Sequence, residues 1–151
     1  MARTASADSV QLRAAEPGDA SDVARLLEIL GYPCTRDEAA ERIVLVRDNR
    51  RHHLLLARRD GATCGLIALN LIYSLARGAD IARITALVVA PDHHRQGIGH
   101  RLLREVEAIA RRAGASRLEL TSNPRRLEAH AFYRSCGYAD GSQHFIKLLG
   151  D

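Results

Sequence analysis

The sequence predicts an α/β (α+β) domain in which a mixed, mostly antiparallel central sheet carries helices on both faces. Three observations predict it. Two apolar runs, 53–58 and 64–73, flank Asp60-Gly61, the pattern of an antiparallel hairpin. Strand-like and helix-like periods alternate from Ile81 onward. The run 82–90 is apolar almost throughout, as in a strand covered on both sides.

Each element has its own signal. Residues 11–15 read as a first strand, closed by the turn-forming Glu16-Pro17-Gly18-Asp19. Val23, Leu26, Leu27 and Leu30 then recur at helical spacing behind Asp19 and Ser21 as cap candidates, and Gly31 stands where a left-handed C-cap belongs. A second helix begins at Thr35, which has capping-box spacing to Glu38 and is followed by an apolar face of Ala39, Ile43 and Val46. The hairpin strands and the 82–90 run come next, ended by Pro91. Ile98, Leu102, Leu103, Val106, Ile109 and Ala110 form the stripe of a helix over 97–113, with Gly114 as its stop. Residues 117–121 give a short strand, Asn123-Pro124 opens a helix running to Gly137, and 143–149 closes the chain as a last strand. The first ten residues read as a flexible segment and 11–151 as a single domain, because no repeat, low-complexity tract or linker interrupts them.

The chain has 151 residues, 46% hydrophobic and 26% charged, which is enough for one core and too apolar for disorder. Its longest apolar stretch, 65–73, is broken by Asn70 and falls short of the roughly 20 residues needed to span a bilayer. No export signal is written in the first ten residues. Cys34, Cys64 and Cys136 are odd in number and lack CxxC spacing, which predicts reduced thiols in a cytoplasmic protein rather than disulfides or zinc. The adjacent pairs His52-His53 and His93-His94 lack the i,i+4 spacing of a metal site, and no metal is expected. The net charge of +4 is carried by arginine, Lys147 being the only lysine. Both a solvated basic surface and attraction of an anionic ligand fit that balance. The arginines are scattered and no recognition helix stands out, so neither nucleic acid nor membrane is an expected partner.

The segment 87–103 carries the chemistry. A strand runs into a turn holding Gly97 and Gly99, which opens a long helix. Glycines let backbone N–H groups approach a ligand closely, and first-turn amides carry the positive end of the helix dipole. Together they make an anion cradle suited to phosphate oxygens. The same glycines also serve a plain tight connection between strand and helix. Leu102 stands where a dinucleotide fingerprint needs its third glycine, and the Gly-Lys-Ser/Thr of a Walker loop is absent.

From Leu87-Val88-Val89-Ala90-Pro91 through His94-Arg95-Gln96-Gly97-Ile98-Gly99-His100 to Leu103, the chain resembles the GNAT superfamily of acyl-CoA-dependent N-acetyltransferases. Ala129, Tyr133, Gly137 and Tyr138 supply a second motif, and the order of elements agrees with that fold. The resemblance implies acetyl-CoA as cosubstrate, its diphosphate held by the amides around Gln96, Gly97, Ile98 and Gly99, with His94 at the position the family gives to Gln or Arg. Arg95 and His100 belong to the same cradle. It implies that Leu87, Val88 and Val89 lie beside the pantetheine arm, with the Val89 amide polarising the thioester carbonyl. It makes Tyr133 the proton donor to the departing thiolate. Arg126 occupies the position where the family often has an asparagine contacting the cofactor, and Asn123 lies three residues earlier. An amine must shed a proton before it attacks, and Glu119, alternating with Leu118 and Leu120 on its strand, is the candidate base, with Asp80 and a water relay as alternatives. No acidic residue stands at Ile84-Thr85, where many relatives place one. The expected activity is acetyl transfer to a primary amine: a polyamine or aminoglycoside-like molecule, an amino acid, or a protein amine. The acceptor is expected beside helices 27–46 and loop 73–80, with a homodimer formed through the edge of the last strand. A noncatalytic acyl-CoA-binding sensor is the competing expectation.

Overall fold

A computed structural model of the chain describes residues 9–121, 127–141 and 144–150. They fall into two compact units, one within 1–121 and one within 122–151. The first unit is built on five strands: β1 (Gln11–Ala14), β2 (His52–Arg59), β3 (Ala62–Ser74), β4 (Ala79–Val89) and β5 (Arg117–Leu120). They lie in sequence order, antiparallel except for the parallel pair β4 and β5. Its helices are α1 (Ala20–Leu30), α2 (Arg36–Arg47) and α3 (Ile98–Arg112). The expected mixed, mostly antiparallel sheet is therefore present.

Local signals set most boundaries. Gly31 ends α1 at φ +106, and Thr35 and Glu38 exchange the two bonds of a capping box at the start of α2, 3.1 and 2.9 Å. Asp60 and Gly61, at φ +53 and +78, give the two positive φ values of a tight hairpin between β2 and β3.

Alternation on β3 puts helices on both faces. Leu66 lies in a buried cluster with Leu26 of α1 and Ile43 of α2, whereas its neighbour Gly65 faces Ile98 and Leu102 of α3. Ile98, Leu102, Leu103, Val106 and Ala110 are the buried stripe of α3. The pairing of β3 with β4 is interrupted once. Ala68 pairs with Ala86 but Leu69 with Ile84, leaving Thr85 as the extra residue of a bulge. Beyond it, Ala86, Val88 and Ala90 face the α1 and α2 cluster.

Asp19 does more than precede a helix. Its side chain makes no cap bond to α1 but accepts from both terminal nitrogens of Arg13, at 2.7 and 2.8 Å, and from the Glu16 N–H at 2.8 Å. The Arg13 bond holds its carboxyl below the ordinary value of 3.8, aided by the Glu16 N–H and the Arg13 charge, while burial opposes. A carboxyl whose folded pKa is depressed contributes stability above its unfolded pKa and loses it as pH falls through the folded one. Asp19→Asn is expected to cost about 2 kcal/mol at neutral pH. In urea denaturation, that gap between variant and parent should shrink as pH drops below about 4. A gap that stays constant with pH would show that the ionised carboxylate is not what is being lost.

The second unit contains α4 (Leu127–Ser135), capped where Cys136 N–H and Tyr138 N–H both donate to Tyr133 O at 3.0 Å, with Gly137 at φ +94. The expected opening of this helix at Asn123-Pro124 lies outside the described residues. The last strand expected over 143–149 is not formed: residues 144–150 have no regular secondary structure, and Gln143 lies outside the described residues. Apolar residues alone do not complete a strand. It needs a neighbouring ladder of N–H and C=O groups, and β5 is the last strand of the sheet among the described residues. No disulfide joins Cys34, Cys64 and Cys136 among the described residues. No helix among the described residues is long and apolar enough to cross a membrane.

Candidate active site

β4 has two halves with different neighbours. From Ile81 to Ile84 it pairs with β5, whose last partner, Leu120, lies opposite Ile84. From Ala86 to Val89 it pairs only with β3 among the described residues. The Ala90 N–H donates to Cys64 O at 2.8 Å. In an antiparallel ladder, hydrogen-bonded and non-bonded residues alternate, so Val88 and Ala86 turn their main-chain groups toward β3, and Leu87 and Val89 turn theirs to the open edge. His94 agrees with this assignment, since its Nε2 donates to Val89 O at 2.9 Å. Val88 is buried in the core, and its side chain belongs to packing.

The chain leaves β4 through a 3-10 turn, Pro91–His93, and reaches α3 through residues 94–97. Arg95 adopts φ +63 and Gly97 φ +78. Left-handed residues on either side of Gln96 are compatible with a nest, the conformation in which successive peptide N–H groups converge on an anion. The first rung of α3 closes from Arg101 N to Gly97 O at 3.0 Å, so the amides of Ile98 and Gly99 come before the helical ladder. The Ile98 side chain is buried against Gly65, which fixes the helix start on the sheet. The Gln96 side chain accepts from Arg59 Nη1 and reaches toward Asp92 O at 3.5 Å. His93 Nδ1 is buried without a hydrogen-bond partner among the described residues.

Glu119 and Asp80 stand elsewhere on the sheet. Glu119 is opposite Arg83 on β4 and forms ion pairs with Arg83 and Arg117, each at 3.2 Å. At ~3.3 Å per residue, the six positions from Arg83 to Val89 separate this pair from the Val89 amide by roughly 20 Å. Asp80 binds Arg51 at 2.7 Å. Tyr133 lies on α4 in the second unit, its ring 5.7 Å from Phe132 and 6.4 Å from Tyr138 between centroids. Asn123 and Arg126 lie outside the described residues. A polar recess of about 300 Å³, lined by Ser9, Gln11, Arg58, Asp60 and Gly61, contains none of the predicted residues.

Two contacts escaped the sequence reading. Arg59 on Gln96 joins residues 37 apart, and no local pattern reports it. His94 on Val89 O was hidden because the position was read through its main chain.

An open strand edge leading into an N–H nest at a helix start is a geometry for an elongated ligand with an amide-bearing arm and an anionic group. The Acetyltransferase (GNAT) family model matches residues 22–138, and the chain belongs to that family. The aminoalkylphosphonate N-acetyltransferase of Salmonella typhimurium (strain LT2) is 37% identical over 120 residues, covering 80% of this chain and 75% of that one. The aminoglycoside N(6′)-acetyltransferase type 1 of Stenotrophomonas maltophilia is 29% identical over 137 residues, 89% of each. Among solved structures, a GNAT family acetyltransferase of Staphylococcus aureus superposes with a TM-score of 0.79 at 24% identity, covering 93% of this chain and 99% of that one. The protein is an acetyl-CoA-dependent N-acetyltransferase, which sets aside the sensor expectation.

Proposed function

We propose that residues 11–151 act as one domain that moves an acetyl group from acetyl-CoA to the primary amine of a small molecule by direct attack. The observation that carries this reading is the β4 edge beyond the bulge, where Leu87 and Val89 turn their main-chain groups outward just before the nest of residues 95–99. The pantetheine arm has amides of its own and suits a strand edge, and the diphosphate suits the nest. Ile98 contributes through its main chain alone. Asn123 and Arg126 are reserved in this reading for further cofactor contacts.

In the reaction, the amine nitrogen bonds to the thioester carbon while the carbonyl oxygen gains negative charge. The Val89 N–H supplies a donor to that oxygen, a role worth ~3 kcal/mol in comparable sites. As the C–S bond breaks, Tyr133 gives its phenolic proton to sulfur. Glu119 as base acts through water, because both its oxygens engage arginines well up the strand. No covalent enzyme intermediate is needed. The acceptors in the relatives' names, an aminoalkylphosphonate and an aminoglycoside, are small amines, which ranks such molecules ahead of a protein amine.

Acetyl-CoA at a hundred times its dissociation constant is expected to stabilise the protein by about 2.7 kcal/mol, raising Tm by about 5–10 °C. A panel of aminoalkylphosphonates, aminoglycosides, polyamines and amino acids, scored by free-thiol release, is expected to give its highest rate with an aminoalkylphosphonate. Release no faster than hydrolysis across the panel, from protein that binds acetyl-CoA, would sink the small-amine assignment.

A further inference from the structure

We propose that Arg59 is a positioning residue for the cosubstrate: from beneath the turn it holds the Gln96 side chain, and thereby the backbone that receives the diphosphate. The inference rests on the reading above that this turn binds acetyl-CoA. Arg59 is the last residue of β2 and is 5% exposed. Its guanidinium donates to Gln96 Oε1, and Gln96 Nε2 continues toward Asp92 O, so the contacts run from the sheet across the base of the turn.

Gln96 sits between Arg95 at φ +63 and Gly97 at φ +78. Gly97 adopts that conformation at little cost, but Arg95 has a Cβ that opposes it. A non-glycine residue stays left-handed only where its surroundings hold it there. An anchor on the adjacent side chain is such a hold. Arg59 is well suited to the task, because its planar guanidinium fixes the direction of its donors and its own stem is locked by burial. Without the anchor, Arg95 relaxes toward ordinary φ values, and the N–H groups of the nest diverge before a ligand arrives. The ligand must then reorder them, and the cost appears in affinity.

The test is calorimetric titration of acetyl-CoA into the parent, Arg59→Met, Gln96→Leu, the double variant and Arg59→Lys, with steady-state kinetics alongside. Each single truncation is expected to weaken binding about tenfold, and the double variant also about tenfold, because both remove one device. Arg59→Lys, which keeps a donor but not the planar fork, is expected to bind between the parent and Arg59→Met. The loss should appear in KM for acetyl-CoA, with kcat moving less than twofold. Losses that multiply to about a hundredfold in the double variant, or Gln96→Leu binding like the parent, would overturn the proposal. If Arg59→Met does not fold, Gln96→Leu and Arg59→Lys decide the matter alone. A parent that shows no heat with acetyl-CoA would instead refute the turn as the cosubstrate site, so the two failures are distinguishable.

Discussion

Tyr133→Phe is expected to lower acetyl transfer about 10²-fold or more while changing acetyl-CoA affinity less than threefold. The size follows from the proposed role, since a positioned general acid contributes 10²–10⁴-fold. Phenylalanine keeps the ring that lies against Phe132 and Tyr138, and it keeps the main-chain carbonyl that caps α4. What it removes is the phenolic hydroxyl. Structure and affinity should therefore survive while the thiolate departs unaided. Pre-steady-state thiol release, with a calorimetric titration of acetyl-CoA beside it, separates the two quantities. Turnover equal to the parent would remove Tyr133 from the proton path. Equal losses in turnover and affinity would assign it to packing.

Gly65→Val is expected to destabilise the protein by about 2–3 kcal/mol and to weaken acetyl-CoA binding as well. A Cβ at Gly65 would stand 3.1 Å from Val88 O, 3.3 Å from Leu102 Cδ1 and 3.4 Å from Ile98 Cγ2. The carbonyl belongs to the β3 and β4 ladder, and Ile98 and Leu102 are the first buried residues of α3. The strain must lift the start of α3, and residues 95–99 travel with it. Urea denaturation measures the first effect and acetyl-CoA titration the second. A valine variant as stable as the parent would mean that the close approach of sheet and helix is softer than these distances imply.

Much of this architecture was legible because it is local. Gly31 as a left-handed cap, the Thr35 and Glu38 box, the Asp60-Gly61 turn and the stripe on α3 all depend on residues within a few positions of one another. The glycine turn was legible for the same reason. Features that join distant segments were not. The two arginines on Glu119 come from β4 and β5, and the sequence offered only an alternating charge on a strand. Arg59 carries no local signal beyond its charge, although it reaches residue 96. Asp19 was recognisable as a turn acid, but its Arg13 partner depends on how β1 enters the turn. The segment 143–149 failed in the opposite direction: its apolar residues suggest a strand, and in its described part, 144–149, pairing, which no local pattern guarantees, does not follow.

The bulge at Thr85 makes chain length, more than chemical identity, the constrained variable in β4. Thr85 itself is exposed, so other side chains fit there readily. Losing the position altogether would rotate everything downstream by half a period, sending Ala86, Val88 and Ala90 away from the cluster they now fill and turning the Leu87 and Val89 peptides inward. Homologues should thus diverge freely in spelling at this point while keeping the count of residues between Ile84 and the glycine turn unchanged.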